Sequence, residues 1–235
     1  VRIRLADDLR EERSHSVSLS ADLYHTFGKV QTNLLVEGFY TILDDVFALR
    51  DMDDAADGGK VKERYNGSGA TVRGFNVEGR AAFTRWFELQ AGVTLQQSRY
   101  KEPEFWSEDA EVPPVRRMFR TPDAYGYFTA SFKPVRNFTA DLSGTCTGSM
   151  LVQHMAGSGV AQDVAVSTPS FFDMNIRLSY DVRIYKEITM QLYGGVQNLF
   201  NAYQKDFDKG VDRDSGYIYG LSLIHISEPT RPRLI

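Results

Sequence analysis

Any chemistry in this chain has to come from charged side chains set singly between apolar or glycine neighbours. Arg73, Glu78, Arg80, Glu88, Asp173 and Arg177 are all placed this way. Such residues can line a polar surface and hold a ligand, and Arg73, Glu78, Arg80, Asp173 and Arg177 are the substrate-binding candidates. A solvated wall shows the same pattern, because polar residues on one side of an alternating strand are generic. Trp106 and Tyr125 could stack on a ligand but form no cluster. Two acid-rich runs, Asp51 to Asp57 and Asp206 to Asp214, raise calcium binding. Asp206, Asp208, Asp212 and Asp214 offer oxygen donors at short spacing, but the Gly and Glu positions of an EF-hand loop are missing. A solvated or lipopolysaccharide-facing loop is the simpler reading of such charge runs. His15, His25 and His154 lack metal-ligand spacing. Cys146 falls on an apolar face as a small packing residue. With no Ser-His-Asp set, paired carboxylates or phosphate loop to be found, neither catalysis nor a cofactor or metal is expected.

The elements that must position these residues are strands. One cysteine in 235 residues excludes a disulfide scaffold and a cysteine metal site. A net charge of −4 without a basic patch argues against nucleic acid as a partner. No run reaches the roughly 18 apolar residues of a membrane-spanning helix. A transmembrane barrel needs no such run, since only every second residue of its strands faces lipid.

The period is two almost throughout. Val17, Leu19, Ala21, Leu23 and Phe27 alternate with serines, Asp22 and Thr26, and Gly28-Lys29 turns the chain. Val30 to Phe47 returns, less cleanly, because Leu35 and Phe39 fall on its polar side. Gly69 to Phe83, Trp86 to Tyr100, Asp123 to Phe132, Asn137 to Leu151 and Phe171 to Val182 follow. The last alternating strand contains Ile188, Met190, Leu192 and Val196, and Asn198-Leu199-Phe200-Asn201 stops it. Arg50 to Asn66, Lys101 to Pro122 and Val152 to Pro169 read as long loops. Tyr217-Ile218-Tyr219 reads as the start of one more strand. Short and long connections therefore alternate, as in an antiparallel up-and-down meander with all its short turns on one side. That is the layout of an outer-membrane barrel, with short periplasmic turns and long outer loops. Phe27, Phe83, Trp86, Phe87, Phe132, Phe138, Tyr180 and Tyr185 gather beside the short turns, as an interfacial aromatic girdle does.

Several segments carry a family likeness. The run from Gln191 to Gly220 resembles the end of TonB-dependent outer-membrane receptors, where a "G-x-x-N-L-F-(N/D)-x-x-Y" strand end precedes the final barrel strand. Leu9 to Ser14 is similar to the family's "L-(K/R)-P-E-(R/K)-S", with Glu11 where Pro is usual. Gly38-Phe39-Tyr40-Thr41 with Asp44-Asp45-Val46, and Asn66 to Gly79 with Val72, Gly74 and Glu78, resemble two further strands of the family. The resemblance implies a gated importer. In it, a barrel of about 22 strands encloses an N-terminal plug whose short box binds TonB. Its substrates are ferric siderophores, haem, cobalamin or glycans. Plug and TonB box are not in this sequence, which on that strand count supplies roughly the last third of the wall.

The expected architecture is thus all-β: the C-terminal part of a transmembrane barrel, an open curved sheet, at residues 1–220. About eight complete strands and the start of the last are expected there. Residues 221–235 (LSLIHISEPTRPRLI) break the alternation and resemble a translated sequencing adapter, a non-native tail. The expected setting is the bacterial outer membrane. The expected partners are TonB, lipid, lipopolysaccharide and a small-molecule or glycan substrate. A barrel protease or lipase, and a passive porin, are the alternatives.

Overall fold

The computed structural model describes residues 2–52, 61–107, 109–157, 159–186, 188–209, 213–214 and 216–220. The proposed tail, Asp212 and residues 53–57 of the first acidic run lie outside the described residues. The alternating segments all fold as strands. The long ones are β2 (Arg13–Phe27), β3 (Val30–Asp44), β6 (Ala70–Thr84), β7 (Phe87–Glu104), β9 (Ala124–Phe132), β10 (Phe138–Thr147), β13 (Phe171–Tyr185) and β14 (Ile188–Val196). They pair antiparallel in the order β14-β13-β10-β9-β7-β6-β3-β2. Each of these long strands therefore lies beside the one before it, and among the described residues β2 and β14 are the two edges of the sheet. At about 3.3 Å per residue, the 15-residue strands β2, β3, β6 and β13 exceed the 9–11 residues a tilted strand needs to cross a bilayer.

The register sorts the side chains onto two faces, because directly opposed residues point the same way. One line of paired residues crosses the whole sheet: His25, Thr32, Ala81, Leu89, Ala130, Leu142, Ile176 and Val196. The next such line on the same face runs Leu23, Leu34, Gly79, Ala91, Phe128, Gly144 and Met174. The opposite face is polar. There Glu78 stands in line with Tyr127 and Asp173, and Arg80 with Gln90, Thr129 and Asn175.

Burial is inverted relative to a protein that folds around an apolar core. Leu19 is 82% exposed, Phe75 64% and Leu95 55%, whereas Asn76, Glu78 and Thr94 on the polar face are half-buried. Among the described residues the buried apolar side chains are Ala70, Val152 and Tyr217, all at or beyond the long-loop end of the sheet. Such a surface is stable only where something apolar covers it, and a bilayer does that for a barrel wall. At the short-turn end, outward rings meet. Trp86 meets Phe132 edge-on at 5.0 Å between centroids, Phe83 stacks on Phe87 at 5.4 Å, and Phe138 opposes Tyr180.

Glycines opposite rings explain the uneven alternation of β3. Phe39 lies on the polar face across from Gly74, where a Cβ would come within 2.8 Å of the ring. Tyr127 covers Gly92 in the same way, at 2.7 Å. A ring laid over a glycine fills the space the missing side chain leaves.

The long connections are more structured than their composition predicts. Residues 50–66 are not one loop: β4 (Phe47–Met52) and β5 (Val61–Asn66) pair there, and β1 (Arg2–Leu5) adds to β5 in parallel. Asp45, with φ of 54°, breaks the Val30–Phe47 run and hands Phe47 to β4. β7 continues to Glu104 and receives the short β8 (Val115–Arg117). Within 152–169, β11 (Leu151–His154) pairs with β12 (Val164–Ser167). Tyr217 to Tyr219 opens no strand. It lies outside the sheets, with Tyr219 N–H donating to Gln204 Oε1 at 2.9 Å and the Tyr217 carbonyl accepting from Gln204 Nε2 at 3.1 Å.

Candidate functional site

The polar face is bound into a network by short side chains. Asn76 donates to Glu37 at 2.9 Å and accepts from Thr94 at 2.7 Å. Gln90 donates to Glu78 at 2.7 Å and to the Tyr127 hydroxyl at 3.2 Å. Arg80 pairs with Glu88, and Ser131 donates to Asp141 at 2.6 Å. Arg177 lies over the Tyr193 ring, 4.6 Å from its centroid. Asp173 accepts from Asn175 at 2.9 Å through Oδ2, while its buried Oδ1 has no partner among the described residues.

Four of the five candidates, Glu78, Arg80, Asp173 and Arg177, therefore share this face. They do not converge. Four strand spacings separate β6 from β13, about 19 Å along the sheet. Arg73 is a correction: its register places it opposite Tyr40 and Gln97 on the apolar face. An odd-numbered residue of β6 points away from Glu78 and Arg80, so Arg73 cannot line the interior. Tyr125 lies on the polar face near the long-loop end, and Trp106 lies in the loop layer.

That loop layer covers the end of the polar face. A cavity of about 510 Å³ opens there between Phe47, Tyr100, Glu104, Trp106, Phe119 and Met155. Trp106 meets Phe119 edge-on at 5.4 Å, and its buried indole N–H has no acceptor among the described residues. Burial pushes the Glu104 carboxyl above its usual range. Burial also raises the Tyr100 hydroxyl, with the Glu104 charge adding to it against a smaller opposing bond at Phe119.

A second cluster joins two loops. His154 Nε2 sits 2.9 Å from Asp208 Oδ2, and its ring stacks on Tyr217 with centroids 3.9 Å apart. Asp208 also accepts from the Asp214 N–H at 3.1 Å. Asp206 accepts from the hydroxyls of Tyr217, at 2.8 Å, and Tyr219. Burial pushes Asp206 up, but the bonds from Tyr219 and Tyr217 outweigh it and hold the carboxyl below its usual range. Tyr217 is pushed up to about 12, by burial first and then by its bond to Asp206 and the nearby Asp208 charge. Tyr219 is raised for the same leading reason. These carboxylates are thus used on protein donors. Among the described residues no group of His, Cys, Asp or Glu is arranged to hold a metal ion. His154 and Asp208 are 54 residues apart, so no spacing pattern links them before the chain folds.

An antiparallel meander that is apolar outside, polar inside and ringed by aromatics at one end is the wall of an outer-membrane β-barrel. The TonB dependent receptor-like β-barrel family matches residues 3–199, and the chain belongs to that family. Solved structures agree on the fold. The ferric-catecholate import receptor Fiu of E. coli is 16% identical, with a TM-score of 0.57 over 83% of this chain and 24% of that one. The copper transporter OprC is 12% identical, with a TM-score of 0.60 over 92% of this chain and 30% of that one. The FrpB iron transporter of Neisseria meningitidis is 14% identical, with a TM-score of 0.54 over 93% and 31%. The chain thus spans less than a third of the length of these proteins, and its relatives are receptors and transporters rather than enzymes. No curated protein matches the sequence.

Proposed function

We propose that this chain is wall and outer-loop structure of a TonB-coupled transporter that imports a scarce nutrient, such as a ferric siderophore, haem, cobalamin or a glycan. The observation that carries the reading is the sidedness of the sheet. Eight paired strands present an apolar face to lipid and a hydrogen-bonded polar face to an interior, under a structured loop layer. In this reading the polar residues Glu78, Arg80, Asp173 and Arg177 face the plug and the passing substrate. The cavity beside Trp106 and Glu104 lies where an incoming ligand first meets the protein. TonB engages the plug, and lipid and lipopolysaccharide surround the wall.

The test is growth of a strain lacking the complete gene on a panel of iron, haem, cobalamin and glycan sources. One source should fail to support growth, and complementation should require TonB. Complementation without TonB would support a passive porin instead. Residues 1–220 are the receptor part in this proposal, and 221–235 are foreign to it. The genomic sequence downstream of the Gly220 codon tests that boundary: a continued alternating strand supports it, and LSLIHISEPTRPRLI in the genome refutes it.

A further inference from the structure

The cavity under the loop layer holds an acid without a counter-charge. Glu104 ends β7, where it stands in register with Val115 of β8. Tyr100 and Glu104 are both even-numbered on β7, so they continue its polar face towards the loops. Among the described residues no donor reaches the Glu104 carboxylate, and no Lys, Arg or His lines the cavity. Nearby cations are engaged elsewhere, Lys101 with Asp44 and Arg117 with Asp123 at 3.0 Å. Gly67 keeps the space in front of the acid open, since a Cβ there would stand 4.0 Å from Glu104 Oε2.

Much of the remaining lining is aromatic. Phe47, Tyr100, Trp106 and Phe119 bring four rings to the same cavity. Arg64 lies over the Phe47 ring, 5.8 Å from its centroid, so that ring already accepts a cation on one face. Ring faces attract cations, and the attraction grows where water is excluded. An ammonium group supplies what the acid lacks, a counter-charge and hydrogen-bond donors. It also offsets the burial that raises the Glu104 carboxyl. A ligand that leads with carboxylates or phosphates meets repulsion here and no compensating cation.

We infer that this cavity recognises a protonated amine on the incoming ligand, with Glu104 as its counter-charge and the aromatic rings as its walls. The inference deepens the transport reading and rests on it for the direction of access. Within that reading it selects an amine-bearing iron chelate or an amino-sugar glycan over haem, whose ionised groups are carboxylates.

The test is isothermal titration calorimetry on the purified complete receptor carrying this chain. Two matched pairs of probes separate the sources of the amine. One pair is a ferric trihydroxamate chelate with a free terminal amine and its N-acetylated form. The other is a glucosamine tetramer and the N-acetylglucosamine tetramer. In one of the pairs the amine form should bind about tenfold more tightly, the effect of one charge-assisted contact. Glu104→Gln should remove that preference by weakening the amine form alone. Trp106→Leu keeps an apolar wall but removes a ring, and should weaken the amine form about threefold. Gly67→Leu should weaken both forms by filling the cavity, and its Cβ has only ordinary contacts, the nearest being the Val46 carbonyl at 3.5 Å. Only receptor that runs as folded, heat-modifiable protein is scored. Equal binding of the two forms in both pairs overturns the proposal, as does failure of all four probes to bind. An amine preference that survives Glu104→Gln overturns it too. Amine selectivity without TonB-dependent growth on any nutrient would sink the transport reading and leave the site standing. TonB-dependent growth without amine selectivity would do the reverse.

Discussion

His154 and Asp208 come from different loops, so their contact reports whether the loop layer is closed. Removing the imidazole takes its bond from the buried Asp208 carboxylate and leaves that group the Asp214 N–H. His154→Ala should therefore lower the free energy of local opening by about 1–3 kcal/mol. Hydrogen exchange should rise in residues 151–154 and 203–209 while the central strands keep their protection. Unchanged exchange there would show that the two loops are held by other contacts. The tyrosines of this cluster set its behaviour in alkali. The folded-state value for Tyr217, about 12, lies above that of a free tyrosine near 10, so its contribution is complete below about pH 10. It is lost as pH rises through about 12. Asp206 has the opposite sign: its depressed carboxyl contributes above the ordinary carboxylate range, and the contribution is lost as pH falls through its folded value. Phenolate absorbance should show late-ionising tyrosines, with Tyr217 and Tyr219 among them, and Tyr217→Phe should remove one of them.

At the scale of elements, the strands depend on glycines that make room for rings. A Cβ on Gly92 would lie 2.7 Å from the Tyr127 ring. Gly92→Val should displace that ring, break the Gln90–Tyr127 bond and cost about 1–3 kcal/mol, the usual range for overpacking. A lower temperature for loss of the folded gel band checks this. The strands were legible in the sequence because alternation is imposed by the surroundings of each face, and both faces were read correctly on β6 from Phe75 to Arg80. Charge groups Arg73 with Glu78 and Arg80, but parity separates it from them. Counting two residues back from Phe75 puts it outside. The additional strands β4, β5, β8, β11 and β12 were hidden for a different reason. They are three to six residues long and pair within or onto the long connections, so too few positions alternate to give a signal. Tyr217 to Tyr219 looked like a strand because its aromatics suit one. Here those rings instead bond Asp206 and stack on His154.

Among the described residues the wall is one large sheet with two unpaired edges, β2 and β14. In lipid an open edge leaves backbone donors and acceptors unsatisfied, which costs several kcal/mol per group by transfer estimates. Residues 1–220 expressed alone should therefore fail to give a heat-modifiable barrel in bilayers. The same segment within the complete receptor should sit stably in the wall. A stable isolated barrel would show that the strands close in another way. The apolar face of the sheet is the one that meets lipid. Single cysteines at Leu89, Val93, Leu142 and Ile176, and at Glu78, Thr94, Ser143 and Asn175, in the complete receptor in outer membranes decide it. A lipid-soluble maleimide should label the first four, and a charged, membrane-impermeant one should leave them untouched. The second four should not react with the lipid-soluble reagent. If the charged reagent labels Leu89, Val93, Leu142 and Ile176 from water, the apolar face does not face lipid and the account is wrong.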